Sequence, residues 1–192
     1  MTEPLERGLR SRLEAAVKQA RGQAEAGAQA ALHELGVAEA NRPTHLTEGQ
    51  RALRVRLRAH GRQLGDSLNG GRIQTMAHLT QEVAYQHWHR MLFARFLAEN
   101  QLLMYDGVAV TLEECDELAE DEGARNGWEL AGRLAECMLP QIFKAGSPVF
   151  ELPLPADVQI PLETLLAALP ADVFTASDSL GWVYQFWQAD NK

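Results

Sequence analysis

The chain has 192 residues, 46% of them hydrophobic, and a formal net charge of −8. That is enough apolar content to bury a core, which excludes disorder throughout, and one domain or a domain plus a helical arm is the expected organisation. No apolar run reaches the roughly eighteen residues a membrane span needs, and the opening "MTEPLERGLRSRLEAA" lacks a signal peptide's uncharged apolar segment, so a cytoplasmic protein with no membrane partner is expected.

The first element is a long amphipathic helix from Leu5 to about Val37. Leu5, Leu9, Leu13, Val17, Ala20, Ala24, Ala28, Ala31 and Leu35 recur every three to four residues in a segment of good helix formers. Its middle reads as weak, because Gly22, Gly27 and the alanines offer little area to bury. "NRPTHL" breaks the chain, Pro43 ending any helix. "TEGQ" at 47–50 is a capping box, with Thr47 as N-cap and Gln50 reaching back, and it opens a second helix, "RALRVRLRAHGRQLGD". At 100° per residue Arg51, Arg58 and Arg62 fall within about 40° of one another, Arg54 lies about 40° beyond them, and Leu53, Leu57 and Leu64 occupy a separate arc. One face is therefore cationic and expected to be exposed. "NGG" at 69–71 stops this helix, and a third runs from about Thr75 to Met104.

"YDGVAVT" reads as a tight Asp-Gly turn with at most one short hairpin. Thr111 and Glu114 make a second capping box, and the acid-rich "LEECDELAEDEG" ends at Gly123. "GWELAGRLAECMLPQIF" is an amphipathic helix interrupted at Pro140. "SPVFELPLPADVQ" reads as extended, "PLETLLAAL" as a short helix with Pro161 in its first turn, and "LPADVFTASDS" as irregular. An aromatic helix, "LGWVYQFWQADNK", closes the chain. The predicted fold is all-α: an irregular helical bundle with a long N-terminal arm, the arm and its basic helix taking residues 1–72 and a helical core residues 73–192.

Charge divides unevenly along the chain. Residues 1–75 hold 12 Lys and Arg against 8 acids, and the remainder holds 6 against 18. A basic ridge on residues 51–62 is an electrostatic footprint for nucleic acid, although four arginines can also pair with the protein's own acids. The acidic run 113–122 reads as a solvated face or as a docking surface for a basic partner. Cys115 and Cys137 have no second pair and read as free thiols.

The stretch "AYQHWHRMLFARFLAEN" at 84–100 concentrates polar groups in an apolar helix. His87 and His89 point about 160° apart, so they cannot grip one metal ion, whereas Tyr85, Trp88, Leu92, Phe96 and Leu103 form a core stripe. Arg90 and Arg95 must each find an anion or several carbonyls, because burying an unpaired guanidinium is costly. Acids such as Glu82 or Glu99 are one answer and phosphate is another. No phosphate-cradling loop, dinucleotide fingerprint, nucleophile elbow, HExxH or Asn-Pro-Pro tetrapeptide is present, so no catalysis is expected of this chain alone.

Two segments together carry a resemblance. "VAYQHWHRMLFARFLAEN" resembles the N-terminal helical region of large class I, S-adenosylmethionine-dependent, adenine-specific DNA methyltransferases, including those of BREX and DISARM phage-defence systems and of fused restriction-modification enzymes. The shared places are Ala84, Tyr85, Arg90, Arg95 and Asn100, with His89 standing where the family often has Asn. "SLGWVYQFWQ" resembles the family's second signature, a Gly-Trp-x-Tyr-Gln helix, through Gly181, Trp182, Tyr184 and Gln185. The family's cofactor loop and Asn-Pro-Pro-Tyr motif follow that signature, and here only five residues follow Trp187.

The resemblance therefore implies the non-catalytic N-terminal domain of a DNA adenine methyltransferase, as a fragment or a split subunit. S-adenosylmethionine and catalysis would belong to a methyltransferase domain following residue 192. Phosphate contact would fall to Arg51, Arg54, Arg58, Arg62, Arg90 and Arg95. Defence-system proteins are further expected partners, and a protein-docking module without DNA contact is the alternative.

Overall fold

A computed structural model describes residues 3–144 and 146–189. It is 63% helical, so the fold is mainly α. Two compact units divide the chain. The first comprises Met1–Arg21, Trp88–Ala145 and Pro161–Lys192, and the second Gly22–His87 and Gly146–Ile160.

Helix α1 spans Arg7–Glu34 and contributes to both units. Leu13, Val17, Ala20, Ala24 and Ala28 are fully buried, as their spacing predicts. The middle expected to be weak serves close packing in the second unit: a Cβ on Gly27 would lie 2.6 Å from the Val158 side chain. Small residues there let two backbones approach where larger side chains would hold them apart.

In the second unit α2, Glu48–Leu64, opens on the predicted capping box. The Thr47 hydroxyl accepts from the Gln50 amide, the Gln50 side chain accepts from the Thr47 amide, and Gly65 at φ 115° ends the helix. "NGG" does more than stop it. Leu68–Asn69 (β1) pairs antiparallel with Ile73–Gln74 (β2), Gly70 and Gly71 taking left-handed conformations between them, so a second hairpin joins the one expected. The carboxylate of Asp66 then accepts from the amides of His78 and Leu79, each at 3.0 Å, and satisfies the open first turn of α3, Ala77–Glu99. Further along, Pro148 stands at the first position of a one-turn helix α6, Pro148–Glu151, capped by Ser147. The segment read as extended is thus partly helical, because proline suits a helix's first turn.

The first unit takes the latter part of α3, which ends at Glu99, five residues before Met104. Gln101 at φ 57° turns the chain into the predicted Asp-Gly hairpin, Met104–Tyr105 (β3) against Val108–Ala109 (β4). Asp106 and Gly107 both have positive φ, as such a turn requires. The second capping box, Thr111 with Glu114, starts α4, Leu112–Leu118, which packs on α5, Gly127–Met138. Leu97, Leu103, Val110, Cys115, Leu130 and Ala131 form their common core. Cys115 is buried and Cys137 exposed, and neither is disulfide-bonded. Helix α7 begins at Ala156, so Pro161 lies inside it and not in its first turn. One helical turn, α8 at Asp172–Thr175, interrupts the stretch read as irregular. The aromatic helix α9, Ser179–Gln188, follows, and the polar tail at 190–192 lies outside the described residues.

Candidate functional site

Helix α3 carries the residues singled out in the sequence, and its side chains reach several neighbours. His87 is buried, with Nε2 3.0 Å from the Val149 carbonyl and its ring edge-on to Phe150. His89 packs edge-on to Phe93 at 4.7 Å and against Phe143 at 5.4 Å, and burial lowers its pKa from 6.5 to about 4. Each imidazole has its own structural neighbours. Trp88, Leu92 and Leu103 are in the core, whereas Tyr85 and Phe96 from the same stripe are half-buried.

Both arginines of this helix are held by the first unit. Arg90 pairs with Glu136 at 3.2 Å; burial lowers its pKa and the Glu136 carboxylate opposes that shift. Arg95 pairs with Glu99 at 3.2 Å, donates to the Leu166 carbonyl, and lies 4.5 Å over the Phe174 ring. Nδ2 of Asn100 donates to the carbonyls of Phe96 and Phe174, at 2.8 and 3.0 Å. Sequence reasoning foresaw Glu99 but missed Glu136, since no helical spacing reports a partner on another helix.

The second signature segment meets the later part of the first, from Trp88 on, inside this unit. The rings of Trp88 and Trp187 stack with centroids 6.3 Å apart, and Arg21 donates to the Trp187 carbonyl at 2.7 Å. Trp182 donates from its indole to Asp178, stacks on Phe186, and carries the Arg10 guanidinium 4.6 Å above its ring. Gly181, Tyr184 and Gln185 are exposed, Tyr184 at 57%.

The arginine ridge of α2 differs from its expected form. Arg54 is only 8% exposed and donates to the carbonyls of Gly36 and Glu39, at 3.0 and 2.8 Å. Arg58 is half-buried and donates to the carbonyls of Val37, Glu39 and Arg72. Both clamp loop backbone inside the second unit, so the expected fully exposed ridge is corrected at these two positions. A clue was available: at 100° per residue Arg54 lies about 60° from Leu57, on the margin of the apolar arc. Arg51 and Arg62 are exposed, bonded to the Leu46 carbonyl and to Gln74 respectively. None of Arg42, Arg51, Arg54, Arg58, Arg62 and Arg72 forms a salt bridge among the described residues. Burial lowers the Arg58 pKa, and the neighbouring charges of Arg54 and Arg62 lower it further, while at Arg54 the nearby Glu39 carboxylate opposes the lowering by burial.

No protein-family model, curated protein or solved structure matches this chain. Among the described residues no helix is long and apolar enough to cross a membrane.

Proposed function

We propose that this chain is the non-catalytic N-terminal helical domain of a DNA adenine-N6 methyltransferase of restriction-modification or phage-defence type. It supports a methyltransferase core, which supplies S-adenosylmethionine binding and methyl transfer, and it contributes phosphate contacts to target DNA. The observation that carries this reading is that the larger part of the first signature segment, Trp88 to Asn100, and the second, distant in sequence, lie in one unit and meet through the Trp88–Trp187 stack. Arg95 and Asn100 of the first signature brace that unit at Phe174, while Gly181, Tyr184 and Gln185 of the second are free to meet a following domain. The cationic cluster of α2 supports phosphate contact, with Arg51 and Arg62 as its exposed members. Arg54 and Arg58 position the ridge, and Arg90 and Arg95 act as internal braces.

A second reading, a protein-docking module of a defence complex, is favoured by the carbonyl bonds of Arg54 and Arg58, which assign half of that ridge to internal structure. Duplex-DNA affinity of the complete enzyme, measured across salt concentrations, separates the two. If Arg51 and Arg62 each neutralise a phosphate, replacing both by Ala flattens the slope of log affinity against log salt by about 2, at roughly 0.9 per phosphate. An unchanged slope favours docking.

A further inference from the structure

The first unit contains a cleft of about 430 Å³ whose walls come from the end of α3, the start of α4, the start of α5 and the end of α7. That volume suits a small ligand or a single large side chain. Its construction is rigid. The capping box fixes α4, the Asp116 carboxylate accepts from the Gly127 amide at 2.9 Å, and a Cβ on Gly127 would lie 2.7 Å from the Asp116 backbone nitrogen, so α4 and α5 touch backbone to backbone.

Three acids, Glu99, Glu113 and Asp116, line the cleft with one cation, Arg95, and one aromatic ring, Trp128. Glu99 is matched by Arg95, whose guanidinium is also engaged by the Leu166 carbonyl and the Phe174 ring. Glu113 has no hydrogen-bond or ion-pair partner among the described residues, and the Asp116 carboxylate receives only the Gly127 amide. Two negative charges therefore remain unmatched by any cation. The half-buried indole of Trp128 completes the wall, with no hydrogen-bond, ring or cation partner among the described residues. A bare metal ion is a poor fit, because these carboxylates do not converge as a metal-holding group. An aromatic face beside uncompensated carboxylates attracts a cation that also has apolar surface, since the ring quadrupole and the carboxylates favour the charge while the indole covers the stem.

We propose that the cleft walled by Trp128, Glu99, Glu113 and Asp116 binds an organic cation, an alkylammonium or guanidinium group on an apolar stem. Two sources share that chemistry: a free polyamine and a basic side chain of a partner polypeptide. The test follows the Trp128 indole N–H resonance of the full chain while spermidine, N-acetyl-arginine amide or its neutral isostere N-acetyl-citrulline amide is added. The expected result is a saturable shift, with a dissociation constant at or below about 1 mM, for at least one cation and none for the citrulline compound. Tighter binding of N-acetyl-arginine amide points to a basic side chain, and tighter binding of spermidine to a polyamine. Glu113→Gln, at an exposed position that leaves the fold's hydrogen bonds intact, should weaken the cation about threefold to fivefold, the loss of one exposed charge contact. No saturable shift with either cation, an equal shift with the citrulline compound, or unchanged affinity in Glu113→Gln overturns the proposal.

Discussion

The indoles of Trp88 and Trp187 lie 17° from parallel with their centroids 6.3 Å apart, 1% and 4% exposed respectively. This stack joins α3 to α9 and with it the two signature segments. Trp88→Ala should destabilise the protein by about 3–5 kcal/mol, as large aromatic deletions in cores do. In a double-mutant cycle with Trp187→Ala, measured by urea unfolding, the coupling should be about 0.5–1.5 kcal/mol. Additive losses would show that the rings do not interact. The Trp88 indole N–H has no partner among the described residues, so Trp88→Phe should cost much less than Trp88→Ala.

Gly27 faces Val158 with no room for a methyl group. Gly27→Ala gains helix propensity, yet the clash should dominate and destabilise by about 1–3 kcal/mol. Adding Val158→Ala opens the space and should recover part of the loss. Equal destabilisation with and without Val158→Ala would place the cost elsewhere.

His89 is held neutral, with its pKa lowered from 6.5 to about 4 by burial. The unfolded chain therefore binds the proton first as pH falls below 6.5, and stability declines from there toward pH 4. The slope is at most about 1.4 kcal/mol per pH unit. Comparing urea midpoints of the wild type and His89→Phe between pH 7 and pH 4.5 isolates this contribution. The variant should lose less stability over that window, and parallel curves would assign the acid sensitivity to other groups.

Arg54 tests the corrected reading of the basic ridge. Its guanidinium satisfies two carbonyls on the 36–39 loop, so Arg54→Ala should cost about 1–3 kcal/mol through those unmet acceptors. Arg51→Ala, at an exposed position, should stay within about 0.5 kcal/mol of wild type. Thermal unfolding of both variants checks the contrast, and equal losses would contradict it.

What the sequence made legible was local. Thr47 with Gln50 and Thr111 with Glu114 cap their helices because a hydroxyl three residues before a long polar side chain satisfies two open donors wherever it occurs. The α1 stripe from Leu13 to Ala28 is buried because period 3.6 marks one helix face. Partnership across the fold was not legible. The arcs of α2 gave the direction of Arg54 but not the 36–39 loop that covers it, and nothing in α3 names Glu136 as the partner of Arg90. Pro161 misled in the same way, since a proline is a first-turn signal only when the preceding turn is not already helical. The cleft at Trp128 depends on four elements meeting, and no one segment contains it.

The methyltransferase account also predicts that the isolated chain gives no heat beyond dilution when titrated with S-adenosylmethionine, because the cofactor would be held by the core. A micromolar dissociation constant would require a cofactor pocket within residues 3–189.

The most direct measurement is a genome-wide map of N6-methyladenine in the source organism, with residues 75–189 intact and with them deleted in frame. The account predicts that methylation at one recognition sequence is lost on deletion and returns when the intact sequence is restored. An unchanged methylation map would contradict it.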